Sequence, residues 1–158
     1  MSTNHITDTT NIKNATAYVI EHTARLLRFH LNHELKEWGY EITREQWFLM
    51  FQLYENEGCS QGELADEILH DHPNITRQLD ALEKRGYVER QHDPEDRRRH
   101  LIYLTADGRK VMDEMMPKAV ETRKQLFAGI SQEEVDQLKD ILGRIEQNLL
   151  QQPWAIDK

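Results

Sequence analysis

Two stretches in the middle of the chain carry side chains that suit hydrogen bonding to nucleic acid. Within residues 73–85 these side chains are two amides, a hydroxyl and a guanidinium: Asn74, Thr76, Arg77 and Gln78. The second stretch is a run of three arginines: Arg97, Arg98 and Arg99. Side chains of the first kind can bond to base edges in the major groove, and arginine is attracted to the negative potential of a narrow minor groove. These residue types therefore favour contact with double-stranded DNA.

Two helices are predicted to position the first stretch. Ser60 followed by Glu63 is typical of a capping box and predicts a helix over residues 61–69. The next helix is predicted over residues 73–85, because proline fits a first helical turn and Gly86 fits the left-handed position after a helix end. One side of this second helix is apolar: Ile75, Leu79 and Leu82. The opposite side carries Arg77, Asp80, Ala81 and Lys84, with Asn74 and Thr76 on the flanks.

A hairpin is predicted to carry the arginine run. Residues 87–92 and 100–105 are β-prone, and the stretch between them is rich in Asp and contains Pro94, which favours a turn. The order helix, turn, helix and basic hairpin is that of a helix-turn-helix followed by a wing. In this arrangement the second helix fits the major groove and the hairpin tip can reach the minor groove.

Longer helices are predicted on both sides of this region. From the helical spacing of apolar residues and from capping patterns at Thr43, Thr105 and Ser131, they cover residues 12–38, 44–56, 106–128 and 132–151. The predicted fold class is mainly α with a small β-hairpin wing, combining a winged helix-turn-helix lobe with a helical dimerisation lobe. The predicted organisation is a flexible N-terminus (1–11), a dimerisation region (12–42 and 106–151), a DNA-binding region (43–105) and a C-terminal tail (152–158). Because a thin helical lobe cannot bury these apolar stripes alone, we expect a homodimer.

Composition narrows the function classes. The 158 residues fit one domain, or one domain with an appended interaction element, and the formal net charge is −8. Residues 72–110 hold nine Lys or Arg against seven Asp or Glu, a net of +2, so the remainder carries −10. A locally basic region within an acidic chain suits a protein that binds DNA through one face. A single cysteine excludes an intrachain disulfide, and we expect a cytoplasmic protein with neither signal peptide nor membrane span.

Four segments carry a resemblance to a known family: Gln61–Ala65, Asn74–Arg90, Asp93–Arg98 and Leu101–Thr105. Through them, residues 25–150 resemble the MarR family of bacterial winged-helix transcriptional regulators. The resemblance implies a homodimer that binds a pseudo-palindromic operator, represses or activates transcription, and needs no cofactor. A repressor that a small effector releases from DNA is the expected form.

The resemblance also implies roles for individual residues. By position, Arg77 matches a residue that reads the major groove, Arg98 matches the wing arginine that enters the minor groove, and Asp96 matches the acid that braces the wing. The chain departs from the family pattern at residues 70–73, His-Asp-His-Pro, where a small or hydroxyl residue usually opens the recognition helix. There, His72 or Asp71 is expected to cap the helix, and phosphate contact by protonated His72 is the alternative.

Three sensing chemistries are open. The aromatic residues Trp38, Tyr40, Trp47 and Phe51 form a candidate effector pocket, since the family's effectors resemble phenolic acids, although aromatic clusters usually belong to a core. Oxidant sensing would use Cys59, whose position does not match the reactive cysteine of the family's oxidant sensors. Metal sensing would use the eight histidines, among which His30 and His33 share a helical face, but no compact set of three ligands emerges and no metal site is predicted.

Two other function classes compete with DNA binding. Enzyme signatures such as GxGxxG, the P-loop, HExxH and GxSxG are absent from the sequence, so no catalytic residue is predicted. A winged helix that binds protein rather than DNA is the stronger rival, because the net charge of −8 opposes a polyanionic partner.

Overall fold

The structure is a computed structural model that describes residues 15–68, 72–96 and 98–153. Six α-helices are described: α1 (Thr16–Glu37), α2 (Arg44–Glu55), α3 (Gln61–Ile68), α4 (His72–Lys84), α5 (Ala106–Leu126) and α6 (Gln132–Leu150). Three β-strands are described: β1 (Cys59–Ser60), β2 (Val88–His92) and β3 (His100–Leu104). The fold is mainly α with a small antiparallel wing, as predicted. Among the described residues, no helix is long and apolar enough to cross a bilayer.

The three predicted capping boxes all form. In each box the Ser or Thr oxygen accepts a hydrogen bond from the backbone N–H three residues later, and the later side chain accepts one in return. The pairs are Thr43 with Gln46, Ser60 with Glu63, and Ser131 with Glu134. At the start of α5 the Thr105 hydroxyl accepts from the N–H of Gly108 at 3.0 Å. Local sequence therefore defines where these four helices begin.

The sheet has three strands rather than the two of the predicted hairpin. Its order is β1-β3-β2, and β3 pairs antiparallel with both neighbours. No strand was predicted before α3, but Cys59 and Ser60 pair with Ile102 and Leu101 of β3. The prediction missed β1 because a strand of two residues is too short to show an alternating pattern, and only its distant partner defines it.

One compact unit comprises the chain up to Met115. Its core is built from α2, α4, β3 and the first turns of α5, and its largest fully buried side chains include Leu49, Leu53, Leu79, Leu82, Ile102 and Met112. The apolar side of α4 is buried as predicted: Ile75, Leu79 and Leu82 are at most 1% exposed. Removing these side chains from water is the main force that anchors α4, which leaves its other side for contacts outside the core.

The first turn of α5 lies directly against the backbone that enters β2. A Cβ atom built on Gly108 would fall 2.0 Å from the carbonyl oxygen of Tyr87. The N–H of Thr105 also donates to that carbonyl at 3.1 Å, and the Thr105 hydroxyl donates to the carbonyl of Gly86 at 2.5 Å. Glycine is required at position 108 because no side chain fits this approach. The start of α5 is thereby attached to the wing.

The second compact unit begins at Met116 and contains the remainder of α5 and all of α6. None of the residues of α6 is buried. Its large exposed apolar side chains are Leu138, Ile141, Leu142, Leu149 and Leu150. Within the first unit, α1 has a similar surface, on which Val19, Leu26 and Phe29 are 50%, 54% and 65% exposed. Such exposed apolar area is typical of surfaces that associate.

Candidate nucleic-acid interface

The four polar side chains of α4 that were selected from the sequence lie on its side opposite the core and at the margins of that side. Arg77 is exposed, and Asn74, Thr76 and Gln78 are half-buried. The Arg77 guanidinium donates to the Asn74 side-chain oxygen at 3.2 Å. This contact joins two of the four side chains one turn apart on the same surface of the helix.

Thr76 is also part of the contact between the two helices of the helix-turn-helix. The side-chain amide of Gln61, in the first turn of α3, donates to the Thr76 hydroxyl oxygen at 2.6 Å. Sequence reasoning considered Thr76 only as a DNA contact and did not select Gln61. The structure gives Thr76 a positioning role as well, since this bond sets α4 relative to α3.

Arg90 of β2 connects the wing to α4. Its guanidinium pairs with Asp80 at 2.6 Å and with Glu83, and its side chain is only 23% exposed. Asp80 and Glu83 are three residues apart, so they lie on adjacent turns of α4 and together hold one arginine. Sequence reasoning missed this cluster. The sequence feature that indicates this cluster is the position of Arg90 two residues after Val88, which is buried. Residues two apart in a strand have their side chains on the same face, so Arg90 lies on the inner face of β2.

The wing turn separates two of its arginines by environment. The Arg98 side chain is 96% exposed, whereas the Arg99 side chain is 45% exposed and pairs with Glu63 at 3.0 Å. The backbone N–H of Arg98 donates to the Asp96 carboxylate at 2.9 Å, and the guanidinium lies 3.9 Å from the same oxygen. Arg97 lies outside the described residues. Of the two described arginines, Arg98 is thus the more accessible to a ligand.

Glu63 joins the cap of α3 to the wing. Its hydrogen bonds with the Ser60 side chain and backbone, together with the bond from Arg99, lower the pKa of the Glu63 carboxyl to about 2. The carboxylate is therefore charged at neutral pH and available to both partners. Because Ser60 and Arg99 are far apart in the sequence, this carboxylate holds the base of the wing against the start of α3.

Comparison with known proteins agrees with this geometry. The sequence profile of the MarR family matches residues 42–100, which contain α2, α3, α4, β2 and the wing turn. The structure of the transcriptional regulator SlyA aligns with 90% of this chain and 98% of its own, at 29% identity and a TM-score of 0.77. Over residues 42–100 this chain is thus similar to the MarR family of transcriptional regulators.

Two further solved structures share the fold. A MarR/EmrR family transcriptional regulator from Acinetobacter sp. ADP1 is 25% identical, with 90% of this chain and 99% of that chain covered and a TM-score of 0.81. MepR of S. aureus, solved in complex with DNA, is 23% identical, with 88% and 99% covered and a TM-score of 0.78. The arrangement of helices and wing is thus that of winged-helix regulators.

The four aromatic residues of the candidate effector pocket fall into two separate arrangements. Trp47 is 6% exposed and contacts the rings of Trp38 and Phe51, with centroids 6.3 and 6.2 Å away. Tyr40 instead donates from its hydroxyl to the Glu114 carboxylate of α5 at 2.5 Å. This hydrogen bond, with smaller contributions from burial and charge, raises the pKa of Tyr40 to about 12. Three rings therefore pack together, and the fourth ties the segment after α1 to α5.

The residues considered for redox or metal sensing are distributed over the fold. Cys59 is half-buried in β1, and its thiol donates to the carbonyl of Asn56 at 3.1 Å. Over the described residues, no group of three or more His, Cys, Asp or Glu side chains is placed to hold a metal ion. The Asp71 alternative for capping α4 lies outside the described residues, as does the His72 side chain. His92 and His100 are in ring contact on the wing, a pairing that sequence reasoning did not recognise.

Proposed function

We propose that this chain is a sequence-specific regulator of transcription that binds double-stranded DNA as a homodimer and represses its target until a small aromatic effector binds. The observation that carries the proposal is the pairing of two exposed arginines on one framework. Arg77 projects from α4, and Arg98 projects from the wing with 96% of its side chain exposed. Arg90 joins the two elements that present them.

In this proposal α4 enters the major groove. Arg77 reads a base edge there, while Asn74, Thr76 and Gln78 at its margins supply further donors and acceptors. Arg98 reaches the adjacent minor groove or its phosphates, where its fixed charge is favourable. Asp96 braces the wing through its bond to the Arg98 backbone, and Arg97 and Arg99 belong to the same proposed DNA-binding surface.

The homodimer part of the proposal is supported by apolar surface that the single chain leaves in water. Leu26 and Phe29 on α1 and Ile141 and Leu149 on α6 are each at least half exposed. Covering them with a second copy would remove a large apolar area from water and create a two-fold axis. Two recognition helices related by this axis would read half-sites about one helical turn, about 34–36 Å, apart on a pseudo-palindromic operator.

The effector part of the proposal rests on the link between Tyr40 and Glu114. A small aromatic acid that reaches this segment would compete for the phenol–carboxylate hydrogen bond. Loss of that bond would release the segment between α1 and α2 from α5. A shift of this segment could reach α4, because α2 packs against α4. Binding of such a ligand would thereby change how α4 is presented to DNA.

The test is a titration of the full chain against duplex DNA from the region upstream of its own gene, at about 50 and about 200 mM salt. We expect the affinity for this duplex to exceed that for a scrambled duplex and to fall steeply with salt. Footprinting should show two protected half-sites. A matched control is Arg144→Ala, which removes an exposed arginine of α6 and should leave the affinity unchanged.

A winged helix that binds protein predicts the opposite result. In that case the affinity for the upstream duplex equals that for the scrambled duplex, and Arg144→Ala has the same effect as Arg98→Ala. The dimer is tested separately by sedimentation at micromolar concentration. Finding only the 18.8 kDa species would contradict the homodimer.

A further inference from the structure

His92 and His100 form a cross-strand pair at the end of the wing hairpin. His92 is the last residue of β2, His100 is the first residue of β3, and the two are directly opposite in the register. Their ring centroids are 4.5 Å apart with an angle of 38° between the ring planes. Both residues are exposed. The pair is the last rung of the sheet before the turn that carries Arg98.

The backbone pattern places this pair where side chains approach most closely. The N–H of Asp93 donates to the carbonyl of Arg99 at 3.0 Å, and the N–H of Thr105 donates to the carbonyl of Tyr87 at 3.1 Å. Hydrogen-bonded and non-hydrogen-bonded pairs alternate along an antiparallel ladder. Asp93 and Arg99 form a hydrogen-bonded pair, so the next pair along the ladder is not hydrogen-bonded. His92 and His100 are therefore a non-hydrogen-bonded pair, in which opposing Cα atoms are about 4.5 Å apart and side chains lie closer.

The spacing of the two rings suits shared coordination of one metal ion. Two imidazoles that bind one ion at about 2.0–2.1 Å through positions at a right angle place their centroids about 4.5 Å apart, whereas a tetrahedral angle places them about 5.2 Å apart. The observed centroid separation of 4.5 Å permits the right-angled arrangement once the side chains rotate so that one nitrogen of each ring faces the ion. Square-planar and tetragonal sites with nitrogen ligands are those of Cu²⁺ and Ni²⁺, and exposure leaves the other positions to water.

The charges around the pair also favour a cation. Two arginines of the wing are paired with carboxylates: Arg90 with Asp80 and Glu83, and Arg99 with Glu63 and Asp93. The four carboxylates together carry two more charges than the two guanidinium groups that they bind. A divalent ion at the pair would balance that charge.

We propose that His92 and His100 form a binding site for a divalent transition-metal ion of the Ni²⁺ or Cu²⁺ class, and that the bound ion cross-links β2 to β3 beneath the wing turn. The cross-link holds the turn that presents Arg98 in a narrower set of conformations. A regulatory consequence, which rests on the proposed function, is that metal occupancy strengthens DNA binding, because less of the wing has to be ordered on the duplex.

The site is tested with NiCl₂ alone, by calorimetric titration of the full chain after treatment with chelator and dialysis. Loss of a residue that hydrogen-bonds to a metal ligand typically weakens metal binding about 10-fold to 100-fold. We expect His92→Gln and His100→Gln, which each remove a ligand itself, to weaken Ni²⁺ binding by at least this factor. The matched control is the double variant His30→Gln/His33→Gln, which removes two histidines from α1 and should bind Ni²⁺ like the original chain. Ni²⁺ should also slow hydrogen exchange of the Asp93 amide, which bonds across the hairpin.

Equal Ni²⁺ affinity in the original chain and in both wing variants would overturn the site. So would loss of binding only in the α1 double variant. Circular dichroism of the wing variants checks that they fold, and both substitutions are at exposed positions.

The link to DNA is tested separately. Ni²⁺ binding without any DNA binding would contradict the proposed function and would leave the proposal of the metal site unaffected. DNA binding whose affinity is the same with and without Ni²⁺ would sink the regulatory consequence alone.

Discussion

The backbone N–H of Arg98 donates a 2.9 Å hydrogen bond to the carboxylate of Asp96, while the Arg98 side chain is 96% exposed. The bond runs from residue i+2 to the side chain of residue i, which is the pattern of an Asx turn. It restrains the backbone at the tip without burying the guanidinium. The tip is therefore shaped before any ligand arrives, and its charge remains available.

Substitution at Asp96 should separate shape from charge. In Asp96→Ala the turn loses its acceptor, so we expect weaker DNA binding with little change in the free energy of unfolding, since the residue is exposed. Asp96→Asn keeps an acceptor in the same place and should retain most of the affinity. Binding isotherms and urea unfolding of both variants provide the measurement. If Asn and Ala are equally impaired, the carboxylate acts through its charge and not through the turn.

The two exposed arginines should fail in different ways. Arg77→Ala removes a base-reading side chain and should cost roughly 1–3 kcal/mol on the cognate duplex, with relaxed specificity at one position in each half-site. Arg98→Ala should weaken binding to many sequences and reduce the salt slope by about one unit for each phosphate that the side chain neutralises. Isotherms on cognate and scrambled duplexes at several salt concentrations distinguish these outcomes. An unchanged salt slope for Arg98→Ala together with unchanged specificity for Arg77→Ala would refute the mechanism.

Two glycine-to-alanine substitutions should shift stability in opposite directions. In Gly108→Ala the new methyl group meets the Tyr87 carbonyl, so we expect a loss of about 1–3 kcal/mol, typical of overpacking. Gly143 lies within α6 with no atom within 4 Å of a built Cβ, so Gly143→Ala should stabilise the chain by roughly 0.5–1 kcal/mol. Urea unfolding followed by circular dichroism measures both. A neutral Gly108→Ala would show that the start of α5 can move away from the wing.

Acid should weaken the joint between α3 and the wing. The pKa of the Glu63 carboxyl is lowered from 4.5 to about 2 by Ser60 and Arg99, so its stabilising contribution is complete above about pH 4.5 and is lost as the pH falls towards 2. The difference in unfolding free energy between the original chain and Glu63→Gln should therefore shrink between about pH 6 and about pH 3. Glu134→Gln is the matched control. Glu134 caps α6 in the same way, and the pKa of its carboxyl is lowered by hydrogen bonds with Ser131 but not by an arginine. A pH-independent difference for Glu63→Gln would contradict this assignment.

Features encoded within a few residues could be predicted from the sequence. The capping boxes place both partners three residues apart, and the apolar positions of α4 repeat at helical spacing, so the starts of α2, α3 and α6 and the buried side of α4 were predicted correctly. The left-handed position of Gly86, with φ of 76°, is of the same local kind.

Features that join distant parts of the chain could not be predicted. Glu63 and Arg99 are 36 residues apart, and nothing in the run of three arginines distinguishes Arg99 from Arg98. Strand β1 exists only because β3 pairs with it. The contact between His92 and His100 depends on the hairpin register, and one residue of slip would have placed the two rings on opposite faces of the sheet.

Helix α6 has no buried residue in the single chain, which bears on how long the protein survives in a cell. A helix with no fully buried residue gains little stability from packing, so we expect α6 to open more often in an unassociated copy and to expose it to proteolysis. Association with a second copy would stabilise α6 in its folded form by mass action. The lifetime of the protein in the cell would then depend on its concentration. Proteases would then degrade the protein faster when its concentration is below the dissociation constant of the dimer. That constant would set the lowest concentration at which the protein persists in the cell.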